Sequence, residues 1–443
     1  VNQLLSIGAT LFVQPTNVRC TVEEFLGGGG QGEVYRVFMG AREKALKWYF
    51  AELATKEQYE LLQTIIEMGP PGGKKEYLWP EALVTSRNKK GFGYIMPLRE
   101  KRFKGIVDMM RGDVNPSFQV VCIVGRKLAD CYLHLHTSGL CYRDINFNNV
   151  FFDPQNGDVR ICDNDNVAVG GSGFSGVIGT PRFMAPEIVR GEAYPSADTD
   201  KYSLAVLLFY LFFVHHPLEG KAETQIHCLD QEAMKWLYGI RPVFIFDPEN
   251  DTNRPVPGYH DNAIQYWNIY PTFLKHLFIR AFTEGLQPGR RVAESEWRRA
   301  MVRLFDSIVY CNHCARENFY DDETHRHASV PLRCWNCGKH VSLPPILRLQ
   351  KPLRHVVALR HDIKLYPYHV RINPDYDFNK PVAAVSKHPQ YPNVWGLQNL
   401  SETVWRGILP NGEQIIVEPG RSIRLQNNMT IDFGEVNGVL ETA

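Results

Sequence analysis

The chain has 443 residues, 44% of them hydrophobic and 22% charged, a composition that excludes wholesale disorder. At about 100–200 residues per domain this length predicts two or three domains. A formal charge of +1, from 49 Lys+Arg against 48 Asp+Glu, argues against a protein whose main task is to hold long stretches of nucleic acid.

The first region runs to about Phe305. A β-like start, Leu26 to Trp48, gives way to the helical pattern Thr55–Met68. That helix has a Thr cap, apolar Tyr59, Leu61, Leu62, Ile65 and Ile66, and a stop at Gly69-Pro70-Pro71. Helical patterns return after Phe118 and from Lys201, so a small β lobe followed by a larger helical lobe is expected. The longest apolar run, Tyr202 to Val214, is shorter than the roughly 20 residues of a membrane span and predicts a buried core helix. No signal-type segment opens the sequence as given, which starts at Val1. The second region, Cys311 to about Val341, is short and polar. After Pro344-Pro345, Leu347 to Ala443 carries β-branched runs broken by turn signals at 410–412, 419–420 and 427–428, the pattern of a small all-β domain. Six of the ten cysteines are scattered and read as ordinary buried thiols; the low density predicts a cytoplasmic protein.

Gly27, Gly28, Gly29, Gly30, Gln31, Gly32, Glu33 and Val34 fit G-x-G-x-x-G-x-V, where glycines let the backbone fold over a polyphosphate and present N–H donors. Thirteen positions later, Lys44-Ala45-Leu46-Lys47 approximates a Val-Ala-Ile-Lys strand, with Ala45 lining a flat pocket and Lys47 reaching phosphates. Tyr142-Arg143-Asp144 precedes Asn149 by five positions from the aspartate. Asp163 follows fourteen positions after Asn149, and then come Gly179-Thr180-Pro181-Arg182-Phe183, Ala185-Pro186-Glu187 and Asp200. With these motifs in this order, the region from about Val13 to Phe305 resembles a eukaryotic-type (Hanks-type) Ser/Thr protein kinase domain.

The resemblance implies a bilobal α+β fold and ATP with Mg²⁺ (or Mn²⁺) as cofactors. Lys47 would bind the α/β-phosphates and pair with a helix glutamate, Glu57 first and Glu60 second. Asp144 would accept the proton of the incoming hydroxyl, and Asn149 and Asp163 would ligate Mg²⁺. Met96 resembles the gatekeeper, Pro97 would offer its carbonyl to adenine and Arg99 its N–H. Thr180 resembles the threonine that faces substrate, and Arg143 one that awaits a phosphate on Ser172 or Ser175. Glu187 and Arg291 would form a buried ion pair. The departures are Tyr142 for histidine, Asn146 for lysine, and Asp163-Asn164-Asp165 for Asp-Phe-Gly. They keep a second reading open, a catalytically weak nucleotide-binding pseudokinase scaffold.

Cys311-x2-Cys314 and Cys334-x2-Cys337 are two knuckles of the kind that closes a structural Zn²⁺ site, a zinc ribbon over 306–343; free thiols are the alternative. The segment Asn393–Ser401, Trp405, Pro419–Leu425 and Thr430–Gly434 resembles the later strands of a forkhead-associated β-sandwich. That family reads phosphothreonine through a Gly-Arg pair and Ser-x-x-His, both missing from Leu359-Arg360-His361 to His369. A docking or intramolecular surface is therefore expected, with a generic β-barrel as the alternative. The order kinase, ribbon, β domain is similar to the kinase member of bacterial triads, together with Gly69–Pro71, Leu78-Trp79-Pro80 and His216–Gly220. That likeness implies a metal-dependent protein phosphatase and a von Willebrand A domain protein as partners, besides a protein substrate.

Overall fold

A computed structural model describes residues 3–169, 178–350, 355–373, 376–387, 390–391 and 394–442. The chain divides into two compact units, Val1–Tyr266 with Leu277–Arg298, and Trp267–His276 with Arg299–Ala443.

The first unit opens with six antiparallel strands, β1 (Thr10–Val13), β2 (Val18–Gly28), β3 (Gly32–Met39), β4 (Arg42–Tyr49), β5 (Ala82–Thr85) and β6 (Phe92–Met96). They close into a barrel in the order β1-β2-β3-β4-β6-β5, because β1 pairs with β2 and, through Phe12↔Thr85 and Val13↔Val84, with β5. The lobe thus starts before Val13, and Leu5 is already part of its core. Strand alternation sorts β4: Leu46 and Trp48 fill the barrel interior, whereas Ala45, Lys47 and Tyr49 share the opposite face. That face is covered by helix α1 (Lys56–Met68), whose Thr55 cap accepts from the Gln58 N–H and whose Leu62 and Ile65 are buried.

The second lobe is built on α2 (Phe118–Thr137) and α3 (Ala197–Phe213), with the antiparallel pair β7 (Val150–Phe152) and β8 (Val159–Ile161) at the mouth of the cleft. Ser117 and Ser196 cap the two helices. The Tyr202–Val214 run falls almost wholly within α3, which is apolar on all sides and buried, with Phe209 and Phe213 stacked at 4.3 Å. Each such side chain taken out of water contributes about 1.5–3 kcal/mol. Among the described residues no helix is long and apolar enough to cross a membrane.

Helix α4 (Glu294–Asp306) ends in the second unit. There follow a hairpin of β9 (Ile308–Tyr310) and β10 (Glu317–Phe319), the cysteine knuckles, and two β-sheets. The larger sheet takes the order β12-β11-β20-β19-β16-β17, from β11 (Ile346–Leu349), β12 (Val356–Ala358), β16 (Trp405–Ile408), β17 (Gln414–Val417), β19 (Thr430–Asp432) and β20 (Asn437–Glu441). The smaller is β13-β14-β15-β18, from β13 (Lys364–Leu365), β14 (Ala383–Lys387), β15 (Trp395–Asn399) and β18 (Ser422–Arg424). Leu347, Leu397, Trp405, Ile431 and Leu440 from both sheets meet in one core. The region also contains a short helix, α5 (Pro367–Val370). The knuckles and the sheets fall in the same compact unit. Asn393 lies outside the described residues. Of the six scattered cysteines, Cys228 is exposed and Cys162 only partly buried, so not all are core thiols.

Candidate active site and cysteine centre

A cleft of about 1660 Å³ lies in the first unit between the barrel and the helical lobe. Gly27, Gly28, Gly29, Gly30, Gln31, Gly32 and Val34 line it from the β2–β3 hairpin. At Gly32 a Cβ would sit 2.2 Å from the Trp48 carbonyl, so the hairpin can lie this close to β4 only with glycine there. Ala45, Met96, Pro97 and Arg99 form the far wall. The Arg99 guanidinium donates to the Phe103 carbonyl at 2.8 Å and stacks on Phe151.

Lys47, Asp144 and Asp163 converge on this cleft. Asp144 is bracketed: its Oδ1 accepts from the Thr180 hydroxyl at 2.8 Å, and its Oδ2 and backbone carbonyl accept from Asn149 Nδ2 at 3.3 and 3.0 Å. Asn146 caps the turn Phe147–Asn149 by accepting from the Asn148 N–H, and its amide donates to Thr180 Oγ1 at 3.2 Å. The loop is held from below by Asp200, which accepts from the N–H groups of Tyr142 and Arg143. His136 is clamped between Asp200 and Glu294; burial opposes its charge, but the two carboxylates push its pKa up to about 9. Tyr142, wholly buried, donates to the Cys162 carbonyl, an architectural role. Arg143 donates from Nε to the Asn166 carbonyl at 2.6 Å. Ser172 and Ser175 lie outside the described residues.

The helix glutamate is a correction. Glu57 is exposed and does not line the cleft; Glu60 pairs with Lys56 on the surface. The residue of α1 that lines the cleft is Gln58, which donates to the Tyr49 hydroxyl at 3.2 Å. Lys47 instead pairs with Asp165, at 2.8 Å to Oδ2 and 3.1 Å to Oδ1. Tyr49 and Tyr94 donate to the same carboxylate at 2.5 and 2.9 Å. Tyr94 arrives because it is the β6 partner of Lys47, and Tyr49 because it is two residues along β4. Burial opposes the Lys47 charge, yet Asp165 and Asp163 outweigh it and hold its pKa above the ordinary lysine value. Likewise burial opposes the Asp165 charge, but Lys47 and the two tyrosines keep its carboxyl below the usual range.

Asp163 adopts left-handed backbone (φ 52°, ψ 40°), and its side chain is 36% exposed, 3.5 Å from Lys47. Asn164 is fully buried and its amide donates to the Leu78 and Ile161 carbonyls at 3.0 and 2.9 Å. The Leu78-Trp79 segment thereby acts as a strap, since Trp79 also donates to the Ile65 carbonyl of α1. Glu187 and Arg291 form the buried ion pair, at 2.7 and 2.8 Å. In His216–Gly220, His216 bonds the Arg182 carbonyl and Glu219 accepts from Arg182 and Tyr238, which fixes the chain just after Thr180. Gln58, Tyr49, Tyr94, Asp165 and His136 were not found from sequence. Tyr49 carried a signal, its strand period with Lys47, and Asp165 stood in the departure from Asp-Phe-Gly, but neither was assigned to Lys47.

In the second unit the Sγ atoms of Cys311, Cys314, Cys334 and Cys337 all lie within 4.8 Å of one another, with 311–337 at 3.7 Å and 314–334 at 3.6 Å. Tetrahedral Zn–S bonds of about 2.3 Å require S···S separations of roughly 3.8 Å, so the donor set fits that ion. Asp306, His355 and His369 form a second group of possible ligands. Here, however, His369 Nδ1 accepts from the Tyr366 N–H, so its Nε2 carries the proton donated to Asp306 at 3.0 Å and has no lone pair to offer. That trio is a hydrogen-bond knot, not a metal site. Arg360 is 2% exposed and donates to the Phe305 carbonyl at the end of α4.

Residues 119–267 match the family model of the protein kinase domain. The chain is 30% identical over 207 residues to CBL-interacting serine/threonine-protein kinase 24 of Arabidopsis thaliana, covering 42% of this chain and 45% of that one. It is 26% identical over 197 residues to CBL-interacting protein kinase 4 of Oryza sativa subsp. japonica (41% and 42%), and 26% over 232 residues to protein kinase C delta type of Mus musculus (47% and 32%). The chain thus spans less than half the length of each of these relatives. The match to the protein kinase domain covers residues 119–267, which lie almost wholly in the first unit, itself a bilobal α+β architecture.

Proposed function

We propose that the chain is a protein Ser/Thr kinase that transfers the γ-phosphoryl of Mg-ATP to a protein hydroxyl, itself included. The observation that carries this reading is the bracketing of Asp144 by Thr180 and Asn149 in the cleft that also holds Lys47 and Asp163. Asp144 accepts the proton of the attacking hydroxyl, held in line by its two neighbours. Lys47 meets the α/β-phosphates, and the hairpin glycines present N–H groups to them. Because Asn149 Nδ2 is spent on Asp144, its Oδ1 is left for a cation, with the partly exposed Asp163 as the second oxygen donor. Bound there, Mg²⁺ would neutralise the charge that develops on the transferred group. The Thr180 contact supports hydroxyls of Ser and Thr as acceptors.

The four cysteines would hold one structural Zn²⁺, without which so short and polar a segment has little core. The sheets, resembling a forkhead-associated sandwich, act as an intramolecular dock: Arg360 and His369 bind the end of α4 at Phe305 and Asp306, so neither is available to a phosphothreonine. The phosphatase and von Willebrand A partners rest on the similarity of domain order alone.

Transfer from labelled ATP by wild type and Asp144→Ala tests the reading. Loss of about 10²–10⁴-fold in the variant is expected. Equal incorporation by both would refute it. Asn146 favours the scaffold reading, since an amide neutralises no phosphate charge; nucleotide binding without transfer by wild type would establish that reading instead.

A further inference from the structure

We infer that Asp165, resting on the kinase reading above, is the residue that positions Lys47 for the nucleotide, taking over a task for which helix α1 supplies no carboxylate. Lys47 is 4% exposed and Asp165 2%. An ammonium this deep needs a paired carboxylate to hold its direction. Four hydrogen bonds converge on Asp165, two from Lys47 and one each from Tyr49 and Tyr94. They fix the carboxylate and leave it no oxygen turned to the cleft. Asp163, two residues earlier and partly exposed, stands farther from Lys47, at 3.5 Å through Oδ1, and keeps its second oxygen for a cation. The two aspartates therefore divide the work: one anchors Lys47, the other faces the ligand. Asn164 between them is pinned to Leu78 and Ile161, so anchor and cation donor are set by one rigid segment.

Helix α1 enters this arrangement only at one remove, through Gln58 and Tyr49. A small shift of α1 would break an amide contact and leave the Lys47 pair intact. Coupling runs instead between Lys47 and the segment that bears Asp163. Gln31 adds a tie from above: its Oε1 accepts from Lys47 at 2.7 Å, and its amide donates to Asn166 at 3.0 Å.

The test uses the full chain and three readouts: melting-temperature shift with Mg-ATP, KM for ATP, and kcat of transfer. Asp165→Asn should raise KM and lower kcat, with kcat/KM down roughly 100-fold, the cost of a displaced positioning group. Asp165→Gly should lose as much. The double variant Asp165→Gly/Gln58→Glu places a carboxylate on α1 next to the vacated site and should regain at least about tenfold of that loss. A merely structural role moves stability alone and gives no such rescue. Folded Asp165→Asn with wild-type KM and kcat overturns the inference. So does a folded double variant no better than Asp165→Gly. If wild type binds Mg-ATP without transferring phosphoryl, the kinase reading falls. The same variants then decide the inference by their Kd for Mg-ATP, weakened by Asp165→Asn and restored in the double variant. A wild type that binds no nucleotide overturns both.

Discussion

Two buried charge clusters invite comparison, Lys47–Asp165–Asp163 in the first unit and Asp306–His355–His369 with Arg360 in the second. Both lie among hydrophobic residues and both hold ionisable groups that burial alone would disfavour. The first leaves an oxygen donor over: after Lys47, Tyr49 and Tyr94 have satisfied Asp165, Asp163 still faces a cleft. The second turns inward, its imidazoles sharing Asp306 Oδ2 and its guanidinium held by a helix carbonyl and by Asp362. A buried charge cluster is thus not itself a site. What marks a site is spare polar capacity that faces open space: Asp163 keeps it at the cleft, whereas the unpartnered Asp306 Oδ1 is sealed inside.

The comparison is most sharply broken at Asp163. Asp163→Ala should abolish most of the melting-temperature shift with Mg-ATP and cut transfer by about 10³-fold, whereas Asp144→Ala keeps the shift. A variant that shifts like wild type would show that the leftover donor is not the one assigned. Next in size is the cysteine centre. Purified protein should contain about one zinc per chain, and Cys311→Ser should lose it and unfold the 308–341 segment while Mg-ATP binding persists; metal analysis and proteolysis read both. Arg360→Ala should destabilise the second unit by about 1.5–3 kcal/mol without creating or removing any preference for phosphothreonine peptides. Phosphate-dependent binding lost in that variant would make the inward cluster a reader after all.

His136 gives a pH test. Its folded pKa is raised to about 9 from an ordinary 6.5, so its contribution is fully present below pH 6.5 and is lost as pH rises through 9. The loss is on the order of 3 kcal/mol in denaturant melts, and His136→Gln should flatten that part of the profile. Smallest of all is Glu57→Ala, expected to change transfer less than about twofold because exposed side chains far from the chemistry contribute little.

Lys47, Asp144 and Asp163, which converge on the cleft, and Asn149, which bonds Asp144, were legible because motif dictates their spacing on strands and loops. The sheet turns were legible too. Residues 410–412, 419–420 and 427–428 all fall between strands, with Gly412, Gly420 and Asn428 at positive φ, which few other residues accept. The phase of α1 was not. Its apolar residues straddle two faces, and Leu61 with Glu57 made as good a stripe as Leu62 with Gln58. Only packing against β4 and β5 selects Gln58, Leu62 and Ile65. Asp165 was hidden for a different reason. Its partners lie 71 to 118 residues away and come together only in the folded barrel.

Strand β1 carries a further consequence, for handling the protein. By pairing with both β2 and β5 it leaves none of the six described barrel strands with a bare edge. A fragment trimmed to begin beyond Val13 would expose the backbone of β2 and β5 along lengths that had been paired. Unpaired strand edges template sheet growth between molecules. Such a fragment would gain a tendency to self-associate, while the cleft residues themselves were untouched.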